Sequence, residues 1–176
     1  MSALATLLVV CVGNICRSPM AQALFGARLP GVDVQSAGLG ALVGHSAEPY
    51  AVALMRERGL DIAAHRARLL TPPLCAHADL ILTMEREQKH ALERRHPSLL
   101  GRVFTLGEFC PAPDHARQGF DVPDPYCGTR SSFERSLRLI EHGVDDWCAR
   151  LASATQPIAS AGAASQPPAA SSRLPD

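Results

Sequence analysis

The sequence predicts an α/β fold, three layers deep, with a small four-stranded parallel sheet and helices on both of its faces. Three observations predict it. Strand-like and helix-like segments alternate along the chain. The first apolar run, Leu7-Leu8-Val9-Val10-Cys11-Val12, has no polar face and fits a strand buried on both sides. A chain of 176 residues with 47 % hydrophobic and 19 % charged side chains can close a core without metal or disulfide staples.

Each element has its own signal. Ser18–Arg28 reads as a helix, with Ser18 as candidate cap and Pro19 at the first helical position. Val32–Ala37 is a short second strand. Glu48–Arg58 is helical, with Ala51, Leu54 and Met55 near one face and Gly59 as its stop. Asp79–Met84 is the third strand, Glu85–Arg95 the next helix and Arg102–Leu106 the fourth strand. A last helix runs from about Ser131 to Leu151, with Phe133, Leu137, Ile140, Val144 and Trp147 on its apolar stripe. From residue 151 the composition turns to Ala, Ser and Pro, punctuated by Pro157, Pro167, Pro168 and Pro175. The expected organisation is a folded domain over residues 1–150 and a disordered tail over 151–176. Ligands of such sheets bind beyond the carboxyl ends of the strands, which points to residues 12–18, 36–42, 84–86 and 107–128.

Composition weighs against several classes. The chain carries 17 Lys+Arg and 17 Asp+Glu, so no broad field draws it to nucleic acid. The apolar run Leu4–Val12 is far short of the roughly 20 residues of a membrane span, and no basic segment precedes it. No direct membrane insertion is expected, and a cytoplasmic monomer is the default. The six cysteines show neither a CxxC pair nor zinc-finger spacing, so they read as free thiols with no metal and no cofactor.

Residues Cys11–Pro19 read CVGNICRSP: strand, cysteine, five residues, arginine, serine, helix. Cys11 ends the strand, where its sulfur can sit at the base of a pocket. Gly13 and Asn14 tolerate unusual backbone angles. The N–H groups of Val12, Gly13, Asn14, Ile15, Cys16, Arg17 and Ser18 can then turn inward as an anion nest, aided by the helix N-terminus behind them. Arg17 offers a planar fork for two phosphate oxygens. Ser18 can cap the helix and donate toward the sulfur, and the same donors favour a Cys11 thiolate. A thiolate in an oxyanion cradle is a nucleophile for phosphoryl transfer, so this is a phosphate-binding loop after the first strand. It is no Walker A loop, having no GK[ST].

Such chemistry needs a proton donor for the leaving oxygen, on a loop at the same sheet edge. Gly107–Thr129 holds Asp114, Asp121 and Asp124. Residue types favour Asp124, followed by Pro125 and Tyr126, and leave Asp121 open.

Cys11–Pro19 together with Asp124-Pro125-Tyr126 resembles the low-molecular-weight protein tyrosine phosphatase family, over residues 6–150. The resemblance implies Cys11 as nucleophile, Arg17 as phosphate clamp and Asp124 as general acid. It implies a buried polar network of Asn14, Ser18, Ser36 and His65 that shapes the loop. It also implies Cys16 as a partner that traps Cys11 in a reversible disulfide under oxidation. Ser36–Gly44, the stretch Ala64-His65-Arg66-Ala67-Arg68 and Asp79–Glu85 are similar to the bacterial exopolysaccharide-associated branch. The partner implied is a phosphotyrosine protein, the tail of a membrane tyrosine autokinase. Animal-type members carry a large aromatic where Leu42 stands, and usually another where Cys127 stands. The expected pocket rim is Leu42, Tyr126 and Cys127, with Tyr126 providing most of the stacking.

Two alternatives compete. Thioredoxin-coupled arsenate reductases share this loop but need further cysteines after the third strand, where residues 83–88 have none. A non-catalytic phosphotyrosine-binding module would be expected to lack the nucleophile or the acid. Arg66 and Arg68 are expected near the rim, with contact to an acidic phosphopeptide the less favoured reading of them. Cys75, Cys110 and Cys148 read as unreactive small residues.

Overall fold

Strand β1, Thr6–Cys11, is buried at all six positions. Its alternating side chains face two different cores. In the computed structural model, which describes residues 4–111 and 118–155, Leu7, Val9 and Cys11 join one cluster, and Leu8 and Val10 the other. Asp79 anchors the start of this strand, its Oδ2 accepting the N–H groups of Ala5 and Thr6 at 2.9 Å.

The remaining elements follow in order. They are α1 (Arg17–Arg28), β2 (Asp33–Gly38), α2 (Pro49–Arg56), α3 (Pro72–His77), β3 (Leu80–Thr83), α4 (Arg86–Arg95), β4 (Val103–Thr105), β5 (Gly107–Pro111), β6 (Gln118–Phe120) and α5 (Arg130–Thr155). Strands β2-β1-β3-β4 form the expected four-stranded sheet, and its three pairings are all parallel. Helices α1, α2 and α5 cover the face with Leu7 and Val9, through Met20, Leu54 and Leu137. Helices α3 and α4 cover the other through Cys75 and Leu92. Burying side chains such as Leu7, Phe25 and Leu137 contributes about 1.5–3 kcal/mol each.

Three elements lie where the sequence suggested only loop. Helix α3 is six residues long, and Pro72 and Pro73 sit at its first positions, where a missing N–H costs nothing. The antiparallel pair β5–β6 occupies the expected long loop. It is too short and too rich in Gly and Pro to show a periodicity. The last helix reaches Thr155, so residues 151–155 of the expected tail are helical. The physical reason is the Ala-rich stretch before Pro157, since Ala is the strongest helix former. The rest of that tail, 156–176, and Asp114 lie outside the described residues.

Strand order places the ends of β1 and β3 side by side at the point where the sheet changes direction, the usual ligand crevice of such sheets. No helix among the described residues is long and apolar enough to cross a membrane. No group of three His, Cys, Asp or Glu among them could hold a metal ion.

Candidate active site

Cys11 closes β1 and is 2 % exposed. The chain then folds back under its sulfur. Asn14 makes the turn in the left-handed region, at φ +56°. Gly13 does not take a positive φ, so of the two residues expected to absorb unusual angles only Asn14 does so. The N–H of Asn14 donates to Cys11 Sγ at 3.3 Å. The N–H groups of Gly13, Ile15, Cys16 and Arg17 have no acceptor among the described residues, as a nest awaiting an anion requires.

Buried side chains hold the turn in place. Asn14 Nδ2 donates to Ser18 Oγ at 2.9 Å and to Ser36 Oγ at 3.0 Å. Asn14 Oδ1 accepts from the Arg68 N–H at 2.9 Å. Ser36 Oγ donates in turn to Gln22 Oε1 at 2.6 Å. Ser18 Oγ, already accepting from Asn14, has its single proton left for Cys11 Sγ, 3.0 Å away. The sulfur thus faces two donors, the Asn14 N–H and the Ser18 hydroxyl. His65 Nε2 lies 2.7 Å from the carbonyl of Asn14. Burial holds this imidazole below its ordinary range, so it is neutral near pH 7 and carries its proton on Nε2.

Ser18 was expected to cap α1. The helix instead starts at Arg17 after Cys16, with no side-chain cap, because the Ser18 hydroxyl is committed to the loop. Gly38, at the end of β2, lies so close to the loop that a Cβ there would stand 2.4 Å from the Val12 carbonyl. That approach lets the N–H groups of Leu39, Gly40 and Leu42 bind the carbonyls of Cys11, Val12 and Gly13 at 3.0–3.1 Å.

Arg17 is 1 % exposed. Its Nη1 donates to the Val122 carbonyl at 2.9 Å and pairs with Glu85, and its Nη2 pairs with Asp124 Oδ2 at 2.7 Å. Its Nε is buried and has no acceptor. The expected fork is therefore already engaged by two carboxylates, with the Nε–H and one Nη2 N–H left over. Glu85 and Gln88, whose Nε2 donates to Glu85 at 2.9 Å, were not singled out from the sequence. The one signal was the position of Glu85, just past β3 in the region 84–86; Gln88 lies outside it.

A cavity of about 180 Å³ opens over Cys11. Val12, Ile15, Leu42 and Tyr126 give it apolar walls, and Arg17 and Asp124 complete it. Asp124 Oδ1 also accepts the N–H of Tyr126 at 3.2 Å. Asp121 lies elsewhere, accepting the N–H of Arg86 at 3.0 Å at the start of α4. Cys127 was expected on the rim but does not line the cavity. It is exposed, at φ +60°, inside a turn closed by Gly128 N–H on the Pro125 carbonyl at 2.8 Å. Arg66 and Arg68, also expected near this rim, line a different cavity, because the 65–68 segment runs along the outer edge of β2. Cys16 is buried, and burial together with the charge of Cys11 pushes its thiol well above the usual range. Burial likewise raises Cys75, Cys110 and Cys148, Cys110 to about 11, in keeping with inert thiols.

Loop, thiol and carboxylate come together only because the sheet sets the end of β1 beside the 121–126 segment, and that convergence is the plan of the cysteine-based phosphatases. Comparison with known proteins agrees. Residues 6–157 match the family described as low molecular weight phosphotyrosine protein phosphatase, and the chain belongs to that family. A probable low molecular weight protein-tyrosine-phosphatase EpsP from Ralstonia nicotianae is 51 % identical over 146 residues, 83 % of this chain and 95 % of that protein. The crystal structure of the tyrosine phosphatase Wzb from Escherichia coli K30 in complex with sulphate matches with a TM-score of 0.77 at 32 % identity, covering 84 % of this chain and 99 % of that one. The YwlE arginine phosphatase from Geobacillus stearothermophilus matches equally well, with a TM-score of 0.77 at 32 % identity over 85 % of this chain and 94 % of its own.

Proposed function

We propose that the protein is a protein-tyrosine-phosphate phosphohydrolase working through a phosphocysteine intermediate. The observation that carries this reading is Cys11 Sγ, held by two hydrogen bonds at the base of an apolar-walled cavity that Asp124 also lines. The Cys11 thiolate attacks phosphorus in line, and the bond from phosphorus to the tyrosyl oxygen breaks as the sulfur–phosphorus bond forms. The free N–H groups of the loop and Arg17 hold the three non-bridging oxygens. Asp124 gives its proton to the tyrosyl oxygen. As a base, it then takes a proton from water, which attacks phosphorus and releases phosphate and the thiolate. The incoming phosphate competes with Asp124 for Arg17 Nη2, so substrate binding itself frees the carboxylate for the leaving oxygen. Asn14, Ser18, Ser36 and His65 keep the loop in shape. Cys16 is the partner for an oxidised Cys11: its thiol condenses with a Cys11 sulfenic acid to give a disulfide and water.

The fold alone does not separate phosphotyrosine from phosphoarginine, since relatives of both kinds share it. The cavity wall favours tyrosine. Its lining offers Leu42, Ile15 and the Tyr126 ring to an aryl group, and its one carboxylate, Asp124, is the one the leaving oxygen needs. Kinship with EpsP and Wzb supports a finer reading, that the substrate is the phosphorylated tail of a tyrosine autokinase of exopolysaccharide synthesis or export, met in the cytoplasm by a monomeric enzyme. The test is release of phosphate from a phosphotyrosine peptide and from a phosphoarginine peptide, with acid quenching to trap the phosphoenzyme. Tyrosine turnover with label on Cys11 is expected. Turnover of phosphoarginine alone, or phosphopeptide binding without turnover, overturns the reading. A Cys11→Ser pull-down that retains no tyrosine kinase overturns the finer one.

A further inference from the structure

Strand β2 is the outer strand of the sheet. A second cavity, of about 400 Å³, lies against it, bounded by Gln22 of α1 and the 65–68 segment. Two guanidinium groups line it, both anchored by neutral acceptors. Arg66 Nη1 donates to the carbonyls of His65 at 2.6 Å and Ala63 at 3.2 Å. Arg68 Nε donates to the Ser36 carbonyl at 2.8 Å, and its Nη2 to Gln35 Oε1 at 2.8 Å. Neither Arg66 nor Arg68 forms an ion pair among the described residues, so their anchors leave both charges uncompensated. The one carboxylate in the lining, Asp33, is occupied by Gln35 Nε2.

The strand edge adds donors. Asp33 N–H binds the Ala5 carbonyl and Leu39 N–H the Cys11 carbonyl, so the odd-numbered residues face β1. The even-numbered ones face outward: Gly38 N–H reaches the Arg68 carbonyl, and the Val34 and Ser36 carbonyls accept from Gln22 and Arg68. On that outward side the N–H groups of Val34 and Ser36 have no acceptor among the described residues. Two held cations and two open N–H groups therefore border one cavity, and its one carboxylate, Asp33, pairs with neither arginine among the described residues.

We propose that this cavity is a second oxyanion site, separate from the pocket over Cys11, taking a carboxylate or phosphate group between Arg66 and Arg68. Its walls are also the supports of the loop. Arg68 N–H holds Asn14 Oδ1, His65 holds the Asn14 carbonyl, and Ser36 accepts from Asn14 Nδ2. After burial, the charges of Arg66 and Arg68 help keep His65 neutral, and an anion between them offsets that push. On the reading that the loop is catalytic, occupancy reaches the nest through Asn14 and shifts KM for an aryl phosphate.

The test is an amide NMR titration of the full chain, with inorganic phosphate and, separately, a phosphate-free hexaglutamate peptide. Sodium chloride at matched ionic strength is the control. Gly13 and Ile15 report the pocket over Cys11, and Val34 and Ser36 report the second cavity. The expected result is a separate isotherm at Val34 and Ser36 that weakens at least tenfold in Arg66→Gln, while that at Gly13 and Ile15 stays within twofold. Shifts with phosphate identify a free anion as the occupant, and shifts with the peptide alone identify carboxylates borne on a chain. Shifts confined to Gly13 and Ile15, equal shifts with chloride, or isotherms unmoved in Arg66→Gln overturn the proposal. An inactive enzyme that still binds at Val34 and Ser36 would overturn the catalytic reading and leave the second site standing.

Discussion

The loop Cys11–Ser18 and the segment Asp121–Gly128 face each other across one cavity, yet they are built in opposite ways. In the loop, Cys11, Asn14, Arg17 and Ser18 are all at most 2 % exposed, and their polar atoms are tied to α1, β2 and the 65–68 segment. In the other segment, the Asp124 carboxylate is 47 % exposed and Tyr126 is 50 % exposed. The difference teaches a division of labour. A nest works only if its donors point inward before the substrate arrives, so it must be over-determined by packing. On the proposed reading Asp124 is a proton donor that has to approach and withdraw, so it stands half-exposed behind one ion pair and one backbone hydrogen bond.

Substitutions can break or sharpen this contrast. Cys11→Ser is expected to remove turnover by at least about 10⁴-fold while leaving phosphopeptide binding measurable, as loss of a nucleophile does. Initial rates with phenyl phosphate and a fluorescence polarisation isotherm check it. Asp124→Asn is expected to lower kcat by about 10²- to 10³-fold, more for phenyl than for p-nitrophenyl phosphate, because the poorer leaving group needs the proton more. Its stability should change by about 1 kcal/mol or less, as befits a half-exposed ion pair. Asn14→Ala carries the opposite signature. It strands partners in a buried network and puts alanine in a left-handed conformation, so urea unfolding should show a loss of about 3 kcal/mol. Should Asn14→Ala prove as stable as the wild type, or Asp124→Asn unfold the protein, the contrast between the two regions is wrong.

The smaller effects follow. Tyr126→Ala should raise KM for a phosphotyrosine peptide about three- to tenfold with little change in kcat, since it removes one aromatic wall. The mildest effect is on pH. His65 has its folded value below the ordinary one, so the unfolded chain binds that proton more readily. The stability this supplies is full above the ordinary histidine value and is lost as the pH falls through it toward the depressed value. Between about pH 7 and about pH 5, the thermal midpoint of the wild type should therefore fall more steeply than that of His65→Gln.

Much of the site was legible because it is local. A strand, a cysteine, five residues and an arginine lie within one short stretch, and backbone geometry alone brings their N–H groups together. Strands β1 and β3 were legible for a similar reason, since burial on both faces leaves an unbroken apolar run. The supports of the loop were legible only through family resemblance: nothing in the residue types around Ser36 or His65 says that both reach Asn14. The Arg17 ion pairs were not legible at all, with Glu85 and Asp124 standing 68 and 107 residues away.

By itself, then, the sequence determined the order of the four parallel strands and the longer helices, the nucleophile candidate and the nest, all set by periodicities and turn preferences within a few residues. Only the tertiary structure decided that Asp124 rather than Asp121 lines the cavity, that Cys127 does not, that Ser18 serves the sulfur instead of capping α1, and that Arg66 and Arg68 serve another cavity. Those outcomes depend on which strand ends lie side by side and which buried polar groups find partners, and both are settled by packing across the sheet.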